Sequence, residues 1–514
     1  MNRRGKWMLP VAAAALALWS GPLQAQGYRV RLDTRFQSLS FRGVAFDSVL
    51  RTAVVVDPTT GGFRTAAGAG GYAVSCPEAA LYCSFFRPGP TTSAAPVSGT
   101  ANATLWGFGV PGLQLHVTAR AATDLADAGW PGTEPAVQLL EGYAAYSRDF
   151  LSLKLGRTHD VNRLGWVGFD GAKLEIRPLG RALHVFGYGG RALARNFPLP
   201  VTSADLNPLG DSLELPNRDQ ILLAGGVGWF IQESGQQFSG RVLYQREDRR
   251  GVNATVSERV AADWSLAASE QVTLSGGGDY NLATAAWGKA DLALNFLTTD
   301  RRLRFTAGGR RYRPYFDLWS IWGAFTPVAY SAGFGSAAWQ AMDGLEVRLR
   351  GELYQFDESG AATPLAAGED DGWRGSVSAT LLRFANWSFD AGYERELGPG
   401  ASSQSYEVAA TYRPTSTMLV SADGSRMVRP LEYRFADARL WTYGLRLDYE
   451  AAQGLRLTAD ARGYSEERQR DDAANLSWSQ VRFNVGAIIE FGLGSDSRRL
   501  HPAILRIPEG RRPQ

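Results

Sequence analysis

The sequence predicts an all-β chain closed as a single transmembrane antiparallel up-and-down β-barrel of about 22 strands, within a range of roughly 18 to 24. Three observations predict it. Side chains alternate apolar and polar with period two along most of the chain, charge gathers on one of the two faces so defined, and short turns alternate with long polar connections. Of 514 residues, 45% are hydrophobic and 20% charged, and mean hydropathy is −0.20. Those bulk values leave a soluble β-sandwich open, so the direction of the apolar face has to decide.

At the N-terminus Arg3, Arg4 and Lys6 precede an apolar run from Met8 to Trp19, then Gly21-Pro22 and Ala25. This is the pattern of a secretory signal peptide over residues 1–25, cleaved so that Gln26 begins the mature chain. The run is too short to stay in a bilayer as a helix. The formal charge of +3 falls to about zero once those three cations leave, so nucleic acid is excluded as a partner despite a pI near 8.8.

The barrel itself is expected over residues 26–493. Tyr28, Val30 and Leu32 alternate with Arg29, Arg31 and Asp33. Near the other end Trp441, Tyr443, Leu445, Leu447 and Tyr449 alternate with Thr442, Gly444, Arg446, Asp448 and Glu450. Similar alternation recurs over residues 113–120, 303–312, 345–354, 387–394, 455–462 and 481–491. The polar faces carry Arg, Asp and Glu in strand after strand, and the apolar faces end in Trp or Tyr. That is the arrangement of a membrane barrel with a wet, charged lumen and aromatic girdles at the interfaces. The residues expected to line the lumen are Arg29, Arg31, Asp33, Arg302, Arg304, Glu346, Arg348, Arg350, Glu352, Asp390, Arg446, Asp448, Arg456, Asp460, Arg462, Arg482 and Glu490.

Short periplasmic turns are expected around residues 109–112, 147–149, 178–180, 232–235, 298–300, 342–344, 413–415 and 451–454. Long extracellular connections are expected at 44–97, 192–220, 313–327, 357–372, 396–404, 427–438 and 465–477. Residues 51–57 are placed in the first loop, and residues 256–266 alternate poorly. Cys76 and Cys83 are the only cysteines, and in an oxidising compartment they are expected to staple that first loop. The loop bearing Tyr315, Phe316, Trp319 and Trp322 is aromatic where loops are usually polar. It reads as an interfacial or loop-packing cluster, with a stacking surface inside the lumen as the alternative. Residues 494–514 are expected to hang in the periplasm.

The run Glu141-Gly142-Tyr143 to Tyr146, with Leu151 to Arg157 and, after a loop, Phe169-Asp170-Gly171-Ala172, resembles the hairpin of porin-like and alginate-export-like outer-membrane barrels. Asn484, Gly486, Ile489 and Phe491 are similar to the signal by which the barrel-assembly machinery recognises a last strand, although this chain continues to Gln514. The resemblance implies an integral protein of the bacterial outer membrane, exported by a Sec-type route and surrounded by outer-membrane lipid. No matched nucleophile and base, no Cys-x-x-Cys-His and no phosphate-cradling loop is present, so neither an enzyme nor a bound cofactor or metal is expected. The functional expectation is a pore passing small hydrophilic solutes through a mixed-charge, Arg-rich lumen. A ring of about 22 strands is wide, however. The alternatives are therefore a sheath around a periplasmic or lumenal partner such as a multihaem cytochrome, a polysaccharide export channel, or a surface ligand-binding barrel.

Overall fold

The structure is a computed structural model. It describes residues 27–493 apart from 57–60, 67–70, 73, 78–79, 127–135, 181, 194–219, 250–253, 314–327, 358–369, 385, 399–400, 429–437 and 469–477. The expected signal peptide, the C-terminal tail and the aromatic loop with Tyr315, Phe316, Trp319 and Trp322 lie outside the described residues.

Strand β1 (Gly27–Leu50) opens the chain. A 3-10 turn at Arg51–Ala53 and the small strands β2 (Val54–Val56), β3 (Phe63–Thr65) and β4 (Val74–Ser75) follow. Then β5 (Tyr82–Ala94) and β6 (Pro96–Trp106) return alongside β1. Next come β7 (Leu113–Asp124), β8 (Val137–Arg148), β9 (Leu151–Asn162), β10 (Gly165–Ile176), β11 (Leu183–Ala192), β12 (Gln220–Glu233) and β13 (Gln236–Arg249). They are followed by β14 (Ala254–Ala267), β15 (Val272–Asn281), β16 (Ala286–Leu297), β17 (Leu303–Tyr312), β18 (Tyr330–Met342), β19 (Leu345–Phe356) and β20 (Asp371–Phe384). The last six are β21 (Trp387–Gly398), β22 (Ala401–Thr415), β23 (Met418–Val428), β24 (Ala438–Ala452), β25 (Leu455–Arg468) and β26 (Trp478–Leu493).

Strand β1 and strands β6 to β26 form a closed antiparallel ring of 22. The ring closes where β1 pairs with β26, from Tyr28 opposite Leu493 to Leu39 opposite Arg482. Closure removes the free edges that an open sheet of this size would expose.

Register fixes which side chains share a face. One face carries exposed Leu349, Leu353, Trp387, Phe389, Trp441, Tyr443 and Leu445. Aromatic residues of that face gather at both ends. Trp387 stacks on Tyr412 at 4.5 Å at the short-turn end, and Trp373 and Trp441 stand near the first residues of β20 and β24 at the other. The opposite face carries the charge.

Several connections differ from the expected ones. Residues 44–97 are largely strand: β1 runs on to Leu50 and pairs with β5 up to Tyr82, beyond the stretch where β26 accompanies it. This hairpin has its own small core, with Cys83 and Thr65 fully buried, Tyr72 stacked on Phe85 at 5.7 Å, and the expected Cys76–Cys83 disulfide in place. Residues 256–266 belong to β14 despite their poor alternation. Residues 396–404 are not a long loop, because β21 and β22 stay paired as far as Gly398 opposite Ala401. No loop precedes Phe169 either: β9 and β10 are joined by a tight turn at Arg163 and Leu164, with Asn162 opposite Gly165.

Candidate functional site: an inward-folded hairpin

Strands β9 and β10 pair with each other along their whole length, yet they leave their neighbours early. The last pair between β8 and β9 is Gly142 with Arg157, and that between β10 and β11 is Phe169 with Ala192. Residues 158–167 therefore stand free of the wall, while the Gly168 carbonyl still accepts from the Leu193 amide at 2.9 Å just past β11. The departure is built into the sequence. Gly156 has φ +129°, and a Cβ there would meet the Gly142 carbonyl oxygen at 2.2 Å. A Cβ on Gly171 would meet the Gly189 carbonyl oxygen at 2.0 Å. Arg157 clamps the base by donating to both oxygens of Asp170, at 2.7 and 2.8 Å, and to the Leu139 carbonyl at 2.9 Å.

The freed tip crosses the wall. Arg163, in the turn, donates to Asp263 on β14 at 2.7 Å and to Asp291 on β16. Reaching past β11, β12 and β13 to those strands is possible only across the concave side of a ring. The face that bears Asp263 and Asp291 is therefore the lumen wall, and the tip occupies part of the lumen.

Beneath the tip lies a cluster of buried apolar side chains. Leu164, Val167 and Phe169 come from the hairpin, and Phe186, Tyr188, Leu222, Leu243 and Ala261 from the wall; Phe169 and Leu222 are fully buried. Burying a side chain of that size contributes about 1.5–3 kcal/mol. Room is left by Gly226, where a Cβ would meet the Phe186 ring at 2.4 Å.

Polar groups fix the rim. Asp160 accepts from Lys173 and, at 3.2 Å, from Arg241, whose guanidinium lies 4.1 Å over the Phe186 ring. Asn162 donates to the Tyr188 hydroxyl at 3.0 Å, which donates to Gln245 at 3.1 Å. The back of the hairpin is held as well. Glu141 of β8 accepts from His116 at 3.1 Å and from His159 at 2.5 Å, and His159 stacks on Trp166 at 5.8 Å.

The residues singled out from sequence stand on other strands of the ring than those the hairpin touches, on the face that carries the charge. Arg29, Arg31 and Asp33 stand on β1, Arg304 on β17, Glu346, Arg348, Arg350 and Glu352 on β19, and Asp390 on β21. Arg446 and Asp448 stand on β24, Arg456, Asp460 and Arg462 on β25, and Arg482 and Glu490 on β26. Arg302 precedes β17 in the turn, where its amide donates to Asp300 at 3.1 Å. Many are neutralised in place. Arg31 pairs with Glu490 at 3.2 Å, Asp448 bridges Arg446 at 2.7 Å and Arg456 at 2.8 Å, and Arg462 meets Asp423 at 3.1 Å.

Sequence reasoning passed over Arg163, Asp160 and the apolar bed. A signal was present: Ile221-Leu222-Leu223 and Val242-Leu243-Tyr244 are apolar on both faces, and a strand wetted on one side has no reason to be.

No family model matches the sequence, and no curated protein matches it. Among solved structures, a BenF-like porin from Pseudomonas fluorescens Pf-5 is 12% identical, with 90% of this chain and 99% of that one covered and a TM-score of 0.39. OccAB2 from Acinetobacter baumannii is 12% identical, with 90% and 98% covered and a TM-score of 0.41. The outer membrane protein OpdK from Pseudomonas aeruginosa is 10% identical, with 90% and 99% covered and a TM-score of 0.39. Likenesses this faint carry no functional argument, which rests on the wall and hairpin of this chain.

Proposed function

We propose that the chain is a diffusion pore of the bacterial outer membrane for small hydrophilic solutes, with its bore set by the β9–β10 hairpin. The observation that carries this reading is the inward fold of residues 158–167, pinned through Arg163 to β14 and β16. A ring of this size is wide when empty. The hairpin narrows it from within, which answers the difficulty the strand count raised. A wall of paired Arg and carboxylates holds water and spreads both signs of charge, so weak ion selectivity is expected. The apolar outer face with aromatic residues at both ends suits a lipid bilayer.

The sheath and export readings call for lumen space that the hairpin already takes, so the pore reading is preferred. Export through a cleaved peptide belongs to the same proposal, and a mature N-terminus at Gln26 is its expected sign. Planar-bilayer recording of the purified protein tests the function. Stepwise open-channel currents with a reversal potential near zero in a salt gradient are expected, and a folded protein that passes no current would sink the reading.

A further inference from the structure

The lumen wall carries a second set of apolar side chains, on β17 to β19, which the hairpin does not cover. Tyr312, Tyr330 and Phe356 stand side by side in register across three strands, on the same face as Arg310 and Glu352. Their ring centroids lie 5.8 Å (Tyr312 to Tyr330) and 5.5 Å (Tyr330 to Phe356) apart at steep mutual angles, and the Arg310 guanidinium lies 5.7 Å from the centre of the Tyr330 ring, so the rings left to meet a solute are those at the two ends of the row, Tyr312 and Phe356. Tyr312 is 38% exposed. The patch adjoins the hairpin tip, since Arg310 stands opposite Asp291, which holds Arg163.

We propose that these rings form a stacking subsite for a neutral carbohydrate passing the hairpin tip. The proposal rests on the pore reading for its route of access. Rings on a wetted wall favour a solute that is flat and apolar on one side, as the C–H face of a pyranose is. The surrounding charges favour a neutral one. Glu352 bridges Arg310 at 2.6 Å and Arg374 at 3.3 Å, and Glu396 stands opposite Arg374, so two carboxylates face two guanidinium groups and the patch carries no net charge to draw a solute carboxylate. Glu396 accepts from the Tyr354 hydroxyl at 3.0 Å, which leaves that carboxylate with further acceptor capacity. Sugar hydroxyls donate and accept at once, and so match a rim of balanced guanidinium and carboxylate groups.

The test uses the full protein with maltotriose as probe and glutamate as the charged comparator. In planar bilayers maltotriose is expected to interrupt the open-channel current. Saturation-transfer NMR on the detergent-solubilised barrel is expected to show maltotriose bound and glutamate unbound. Replacing both Tyr312→Ala and Phe356→Ala should weaken that binding about tenfold, the equivalent of about 1.4 kcal/mol. Tyr312→Phe, which keeps the ring, should bind like the parent, and heat-modifiable gel mobility verifies that each variant is folded. Maltotriose binding that is absent, or unchanged in the double variant, overturns the inference, as does glutamate binding as well as maltotriose does. Ring-dependent maltotriose binding in a protein that passes no current would leave the subsite standing and remove the pore.

Discussion

At the scale of single residues, Arg163 decides the most. Its guanidinium is nearly buried, at 7% exposure, and it reaches two carboxylates on different strands, Asp263 and Asp291. A planar fork can serve both, whereas a lysine is a point charge that serves one well. Arg163→Ala removes charge-assisted bonds worth roughly 1.5–3 kcal/mol each, at the lower end here because Asp263 is half exposed to lumen water. The expected outcome is a larger and noisier single-channel current, with Arg163→Lys between the two; currents identical to the parent would count against the pin. Asp47, on the external hairpin, gives a prediction in pH. The Arg87 guanidinium, and after it the Ser48 amide, hold its carboxyl below the ordinary 3.8. A depressed native value means that the pair steadies the hairpin at every pH above 3.8, and that the support fades as pH falls through the lower native value. Amide protection around residues 45–50, corrected for the intrinsic pH dependence of exchange, should therefore be the same at pH 7 and pH 5 and fall only below about pH 4. In Arg87→Ala the protection should already be lower at pH 7 and its further loss in acid smaller.

At the scale of elements, the hairpin stands on its apolar bed, and Leu222 is the bed's centre. It is fully buried, while its neighbours Ile221 and Leu223 face the other way at 38% and 55% exposure. Leu222→Ala should cost about 2–5 kcal/mol locally, because wall strands cannot collapse into the space. Faster amide exchange in residues 158–167, with the ring's gel mobility unchanged, is the expected reading. The Cys76–Cys83 link belongs to another element, the external hairpin. Reducing it should loosen residues 51–83 to proteolysis and leave the open-channel current unaltered, because that hairpin lies beyond the β1–β26 seam. The same elements show what the sequence made legible. Strands such as β24, with Trp441, Tyr443 and Leu445 set against Thr442 and Arg446, declare themselves because one side meets lipid and the other water. Strand β14 declares itself poorly. Its inner face mixes Arg259, Ala261 and Asp263, since it holds partners for both the apolar bed and the polar pins. Around residues 396–404 Gly398, Ser402 and Ser403 read as loop, yet ladder bonds to β21 carry them as strand. The inward fold was hidden for a deeper reason. A hairpin that leaves the wall alternates like one that stays, and only Leu222 and Leu243, apolar on the inner faces of β12 and β13, mark where it lands.

At the scale of the whole molecule, wall and constriction are separable. The ring is held by ladder pairing, and residues 158–167 contribute none of it to β8 or β11. Arg157 and Asp170 face each other at the point of departure and are bonded to one another, so the hairpin can be cut just beyond them without opening the wall. A chain in which 158–169 is replaced by a two-residue Asn-Gly turn should therefore still insert as a barrel, since that turn suits two antiparallel strands at this spacing. It would uncover Phe186, Leu222 and Leu243 to lumen water, a loss of up to about 3 kcal/mol for each large side chain. A ring of 22 strands carries many more stabilising pairs than that, so survival with a lowered melting temperature is expected. The bore is a different matter. A ring this wide with nothing folded inside is an open aqueous channel. The truncated chain should show a several-fold higher conductance and admit larger polyethylene glycols in a polymer-exclusion measurement. A truncated barrel that folds and conducts like the parent would show that the hairpin does not set the bore, and that some other segment does.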